Sequence, residues 1–567
     1  MENKDRAKSK NKISFKNSDS VRIWVCALLG GLFFGVTYHW GRQLDAQGYV
    51  NFAALSTWLW ILGTAAAVTP VLAWLFGKKP KLQKGCGSFA CANAAVWKND
   101  KAGEEQGAVK SAGLTVRCRW LLTALGLFLA WLPVFAAVYP GFFAYDATDE
   151  LQEVLTGQYV TRHPLLHVLL LGKTVSGIGR LSGSYNAGIA VYVLVQMMVM
   201  AFLLSWMLQC GRRFGAGRLW YGVSFLFLAL FPVIPMYVMC TSKDILYTAG
   251  MLAAIALLGL MRAEPEECCR DIKKWIGLGA ALFVMAVFRN NGFYVFLVMI
   301  PVLCMLAQKK YRRRMLAVIV LVLAARAGMN CGLNAALKPV STDVQETFTV
   351  PIQQLARTWN YSPEVFEEAD REALFEILPE EVLGRYYPKL SDMVKIDFNA
   401  ENYEKDPKRY QSLWLRTGAK APLTYVNAWL MTSYGFWYPF TVIDVYNGTR
   451  YYEGSSYFSC ETESPGERRS FLPGLEKFYE EISWGSEIHR LPVVSWLFSP
   501  GFLCWVYVLA GLYWAARGSW ERLGVMLPVY LNWLTVLFGP TYLVRYVLIF
   551  WFALPLLAAM RVRTSGD

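Results

Sequence analysis

The chain has 567 residues, a net charge of +14, 55% hydrophobic and only 17% charged residues, and a mean hydropathy of +0.30. A soluble chain averages about 45–50% apolar and about 25% charged residues, and the excess here lies in uncharged runs such as 52–76 and 120–145, which excludes an ordinary soluble domain. The positive charge sits in short blocks between those runs, as in the cytoplasmic loops of membrane proteins, and this excludes nucleic acid as a partner.

The predicted fold is an all-α polytopic membrane protein with a mainly helical extracytoplasmic insertion. The tail 1–22 is basic, long and without a small-residue cleavage site, unlike a signal peptide. Apolar runs predict spans near 23–38, 52–76, 120–138, 186–209, 219–239, 245–261, 275–288, 293–307, 315–336, 496–516, 523–540 and 546–560. That is about 12 transmembrane helices. Lys and Arg crowd the tail, the 77–119 loop, Arg212-Arg213, Lys273-Lys274, 309–314, Arg561 and Arg563. Every second loop is basic, so both termini are expected in the cytoplasm. The run 275–307 is basic at both ends, which favours two crossings with Arg289 at the turn between them. Asp and Glu rise between 337 and 495, an insertion that parity places outside. The expected division is 1–119 (tail, two spans, basic loop), 120–336 (membrane module with external loop 139–185), 337–495 (external domain) and 496–567 (last spans and tail).

Twelve cysteines are scattered. Cys26, Cys210, Cys240 and Cys504 lie in apolar runs as small hydrophobes. Cys86 and Cys91 share a loop without histidine and make a poor metal site. Cys331 and Cys460 both fall outside, where sequence leaves their pairing open. Two glycosylation sequons begin at Asn360 and Asn447.

Parity gathers four polar signatures on the external face. They are Tyr139-Pro140-Gly141 with Asp146, Asp149, Glu150, Arg162, His163 and His167; Lys243-Asp244; Arg289-Asn290-Asn291-Gly292; and the 539–542 turn with Arg545. Ionisable groups at span edges are functional candidates. Asp146 is read either as a general base within reach of a hydroxyl or as a helix N-cap ahead of Asp149 and Glu150. His163-Pro164 reads as a helix start with proline at the first helical position, whose amides with Arg162 suit an anion. His163 and His167 share a helix face. With Asp146 or Glu150 they offer a divalent metal site, or else they are a capping and a packed histidine, with no certain cofactor. Lys243, Arg289 and Arg545 suit a phosphate; the alternatives are snorkelling to lipid headgroups and, for Lys243, a local pair with Asp244.

Together these motifs resemble the GT-C superfamily of multi-spanning glycosyltransferases. More closely they resemble a bacterial membrane-protein family with the pattern Tyr-Pro-Gly, Asp five residues on, His-Pro, Lys-Asp and Arg-Asn-Asn-Gly; the stretch 350–357 is similar to that family's segment after the ninth span. The resemblance covers about 120–550 and leaves out the first two spans and the loop to 119. It implies a sugar donor on a polyprenyl phosphate, an extracytoplasmic acceptor, membrane lipid as a further partner, and a plasma-membrane location. It implies a catalytic acid or base in the first external loop, which maps to Asp146, with Asp149 or Glu150 as the alternative. Arg162, His163, Lys243, Arg289 and Arg545 would hold the donor phosphate. Tyr139, Gly141, His167, Asp244, Asn290 and Asn291 would support them. Many members of the superfamily carry adjacent or near-adjacent acidic residues in this loop; here Asp149-Glu150 follow three residues after Asp146, so the base stays open among the three. The rival classes are a transporter or flippase of a lipid-linked or anionic substrate, and a non-enzymatic scaffold. An insertion folded back over 139–163 favours the enzyme.

Overall fold

In lipid, an apolar segment pairs its own backbone N–H and C=O groups only as a helix or within a closed barrel. The computed structural model describes residues 2–78, 106–341, 343–446 and 457–560, of which 2–18, 106–117 and 343 are described by backbone alone. It is 77% helix, with only isolated bridges between extended residues among those described. Six helices are long and apolar enough to cross a membrane: Asp19–Gln47, Leu55–Gly77, Cys118–Ala137, Tyr185–Arg213, Lys243–Ala263 and Lys309–Leu337. Arg218–Leu230, Asn290–Leu306, Pro500–Ala516 and Ile549–Ala559 are shorter apolar helices.

Local chemistry accounts for the shorter pieces. The run 219–239 divides into Arg218–Leu230 and Val233–Val238, because Pro232 has no N–H and its ring collides with the preceding turn. Ile272–Phe288 and Asn290–Leu306 are separate helices joined by Arg289 alone, which is extended (φ −147°, ψ 140°). Asn290 to Gly292 were expected to make the turn; they instead form the first helical turn. Glycine lets that turn pack closely, since a Cβ on Gly292 would lie 2.2 Å from Met285 O and 2.5 Å from the Tyr247 ring. A further helix, Leu165–Ser182, starts one residue later than expected, with Pro164 at its N-cap position.

The Lys243–Ala263 helix is the hub, with 89% of its apolar window buried, whereas Lys309–Leu337 is 17% buried and lies at an edge. The hub's first residue, Lys243, therefore stands at the end of an enclosed helix. The insertion builds its own core around Ile352, Leu355, Leu374, Leu383 and Leu413. Further on, Tyr434, Phe436, Phe458 and Tyr479 join the main core. It is tied to the turn after the first span: Arg357 Nη2 donates to Gly48 O (2.9 Å) and Val50 N to Asn427 Oδ1 (2.8 Å).

A strap, residues 457–471, then lies along the 136–145 segment. Its backbone donates from Glu463 to Phe143 O (2.7 Å), from Arg469 to Tyr139 O (2.9 Å) and from Phe471 to Ala136 O (2.9 Å). The insertion therefore folds back over the loop that carries Asp146. Cys331 and Cys460 are free thiols, the first exposed and the second buried. The Asn360 side-chain amide is occupied by Ala356 O (2.8 Å) and Leu383 O (2.9 Å). Cys86, Cys91, the Asn447 sequon, Arg561 and Arg563 lie outside the described residues.

Candidate functional site

The site begins at the 139–146 turn. Gly141 has φ +124°, and a Cβ there would meet Val193 Cγ2 at 2.7 Å, so only glycine fits. Tyr139 packs edge-to-face against Phe135 and Phe471 and does not line the cavity. Tyr145 is left-handed at φ +63°, a conformation that costs a non-glycine residue about 1–3 kcal/mol and that clusters at functional sites. Its hydroxyl accepts from Ser459 N (2.9 Å) and its ring lies 4.6 Å from the Arg545 guanidinium.

Asp146 stands at the N-cap position of the Ala147–Thr156 helix but makes no side-chain cap hydrogen bond. Its Oδ2 accepts instead from Lys243 Nζ (2.8 Å) and Arg545 Nη1 (3.2 Å). Burial alone would raise its pKa, but the two cations hold the carboxyl well below the usual range. Lys243 Nζ also donates to His163 Nδ1 (2.9 Å) and lies 3.6 Å from Glu150 Oε1. Burial and the Lys243 charge push His163 down to about 4, so it is neutral near pH 7. A local Lys243–Asp244 pair does not form: Asp244 pairs with Arg289 and accepts from Ser242 Oγ (2.6 Å). Arg289 also donates to Asn291 Oδ1 (3.1 Å), and its guanidinium lies 4.8 Å from the Tyr546 ring. Asn291 continues to Thr535 Oγ1 (3.2 Å), while Asn290 is exposed.

A cavity of about 130 Å³ is lined by Asp146, Arg162, His163, Lys243, Asp244, Arg289 and Arg545. From the insertion come Glu346, Asp392 and Lys395, joined by ion pairs of 3.0 and 2.9 Å, and from the 540–546 segment Pro540 and Tyr546. Five separate stretches of sequence thus meet around one cavity. The remaining candidates do not line it. Asp149 is exposed and faces Arg162 at 3.9 Å. Glu150 is buried behind Lys243 and bonds His167 Nδ1, whose Nε2 reaches the Tyr192 hydroxyl at 3.1 Å. His167 is therefore a packed, fully partnered histidine rather than a second metal ligand beside His163. Asp146, Glu150 and His163 offer ligand atoms within 4.8 Å of one another, and the Lys243 ammonium stands among them. Sequence reading missed Tyr145, Tyr546, Glu346, Asp392 and Lys395. The first two flank Asp146 and Arg545, an aromatic next to a span-edge charge; the other three carry no local signal.

These features define a helical protein with membrane-length spans and a charge-dense cavity at one end of its bundle. Residues 155–566 match a family model described as a family of unknown function, DUF6020, and the chain belongs to that family. The matched stretch holds Arg162, His163, Lys243, Asp244, Arg289 and Arg545, and begins after Asp146. No curated protein and no solved structure matches the chain.

Proposed function

We propose that the chain is a GT-C-like glycosyltransferase of the plasma membrane, with about twelve spans and cytoplasmic termini. It moves a sugar from a polyprenyl-phosphate-linked donor to an extracytoplasmic acceptor. The observation that carries this reading is Asp146, bound through Oδ2 to both Lys243 and Arg545 at a cavity that Arg289 and Arg162 also line. Neither cation bonds Oδ1, which is left to accept the proton of an acceptor hydroxyl. The acceptor oxygen then bonds the sugar's anomeric carbon as the bond from that carbon to the phosphate oxygen breaks. The leaving polyprenyl phosphate keeps the electron pair, and Lys243, Arg289 and Arg545 meet its charge.

A carboxylate held so far below its usual pKa is a weak base. Incoming donor phosphate competes for Lys243 and Arg545, and as their bonds shift to phosphate, Asp146 becomes more basic. The base is thereby strengthened only when the donor is in place. Five cationic side chains line the cavity against four carboxylates, so an anion is accommodated by exchange of partners. The insertion packed over the 139–146 loop supports an enzyme over a scaffold.

The test is turnover of a synthetic polyprenyl-phosphate sugar by the purified protein. Asp146→Asn should lower the rate about 10²–10⁴-fold with donor binding largely retained. A wild-type rate in that variant, with a verified donor and acceptor, would leave Asp146 a structural residue.

A further inference from the structure

We infer that the Lys243 ammonium occupies, as a tethered cation, the position a divalent metal would take among Asp146, Glu150 and His163. Two carboxylates and an imidazole with ligand atoms within 4.8 Å of one another make a common metal donor set. Here Nζ lies 2.8 Å from Asp146 Oδ2, 2.9 Å from His163 Nδ1 and 3.6 Å from Glu150 Oε1. The contacts to Asp146 and His163 use lone pairs that a metal would use, and Glu150 faces the ammonium as an ion pair. The ammonium donates to His163 Nδ1, which fixes the neutral ring with its proton on Nε2, the tautomer an Nδ1-ligated histidine also adopts. Behind it, His167 and then Tyr192 orient Glu150, as hydrogen-bonded groups orient metal ligands.

The ammonium is placed as firmly as an ion would be. Lys243 is the first residue of the buried hub helix, and Ser242 caps that helix by accepting from Asp244 N. Its side chain is only 13% exposed. A metal added beside it would set a double positive charge against the ammonium and would find its ligands taken. Zn²⁺ binds N and O at about 2.0–2.2 Å, so with the lysine shortened Asp146 and His163 need close in by about 0.8 Å and Glu150 by about 1.5 Å.

The geometry stands without the transferase reading; its consequence for turnover, that no divalent metal is needed, rests on that reading. The test is metal content, which needs neither donor nor acceptor. Full-length protein in detergent is incubated with ZnCl₂, desalted, and measured by elemental mass spectrometry and thermal unfolding. Wild type should retain no stoichiometric zinc and show no zinc-dependent rise in Tm. Lys243→Ala should retain about one zinc per chain with a raised Tm, and Lys243→Ala/His163→Ala should lose both. Zinc bound by wild type and removed by His163→Ala overturns the inference, as does a monodisperse Lys243→Ala that takes up none. Should Lys243→Ala aggregate, Lys243→Ser carries the same test. Where turnover is measured, excess EDTA should leave it unchanged; metal-dependent turnover in a protein that transfers sugar would overturn the inference and leave the transferase reading intact.

Discussion

Glu150 has two partners and almost no water: its carboxylate spans from His167 to within 3.6 Å of Lys243, with a side chain 1% exposed. Removing one member of a buried charge network leaves the others uncompensated, which typically costs about 3–5 kcal/mol. Glu150→Gln should therefore lower thermal stability in detergent far more than Asp149→Asn, whose side chain is 63% exposed. His163 makes a pH prediction. Its folded pKa, about 4, lies below the ordinary 6.5 because of burial and the adjacent Lys243. The unfolded chain thus takes up a proton that the folded chain refuses. Stability from this group is full above about pH 6.5 and falls as pH drops toward 4, by about 1.4 kcal/mol per unit at most. His163→Asn should flatten the dependence of Tm on pH in that window; an unchanged slope would mean that His163 is not held neutral. Sequence showed that Asp146, Lys243, Arg289 and Arg545 share a face, since charge parity alone orders the loops. It did not show that Asp146 takes both Lys243 and Arg545 while Asp244 takes Arg289, because partner choice depends on distances that only packing sets.

At the scale of elements, the strap 457–471 was the least legible part of the site. It has no apolar period and docks by backbone bonds to Phe143, Tyr139 and Ala136, which any sequence can make. Side chains add to these: Thr462 Oγ1 donates to Gly141 O at 2.8 Å, and Glu463 Oε2 accepts from Thr148 Oγ1 at 2.7 Å. Burial raises the Glu463 pKa to about 7, the Thr148 bond opposes this, and Glu461 and Asp149 add to it. The protonated form is therefore favoured in the docked strap. The stability it lends is complete below about 4.5 and is lost as pH rises through 7. Hydrogen exchange in 457–471, corrected for intrinsic rates, should speed up between pH 6 and 8 in wild type and not in Glu463→Gln. Equal pH dependence in both would detach the strap's docking from this carboxyl. By contrast, the break at Arg289 was legible, because basic residues at both ends of 275–307 demand it. Pro164 was misplaced by one position, since proline suits the N-cap and the first helical residue alike.

For the whole molecule, the same end of the bundle carries the Gly48–Val50 turn, the Asp146 loop, Arg289, Arg545 and the insertion. A cysteine at exposed Glu401 should thus react with an impermeant reagent from outside intact cells and not from the cytoplasm. Labelling only from the cytoplasm would reverse the orientation of the site. Apolar length and charge made the helical class legible, and hydropathy foresaw the six long helices. The shorter apolar helices were less so, because hydropathy reads 219–239 as one run that Pro232 divides. The bond between Asp146 and Arg545 spans 399 positions of chain. At about 5–20 residues per second, synthesis alone separates those two groups by roughly 20–80 s. During that interval Lys243 can meet the carboxylate first, the strap 457–471 follows, and the second cation, Arg545, comes after both. The charge balance of the cavity is therefore completed last, by the final stretch of chain to be inserted. A nascent chain stopped before residue 545 can hold most of the described helices and still lack the second cation on Asp146.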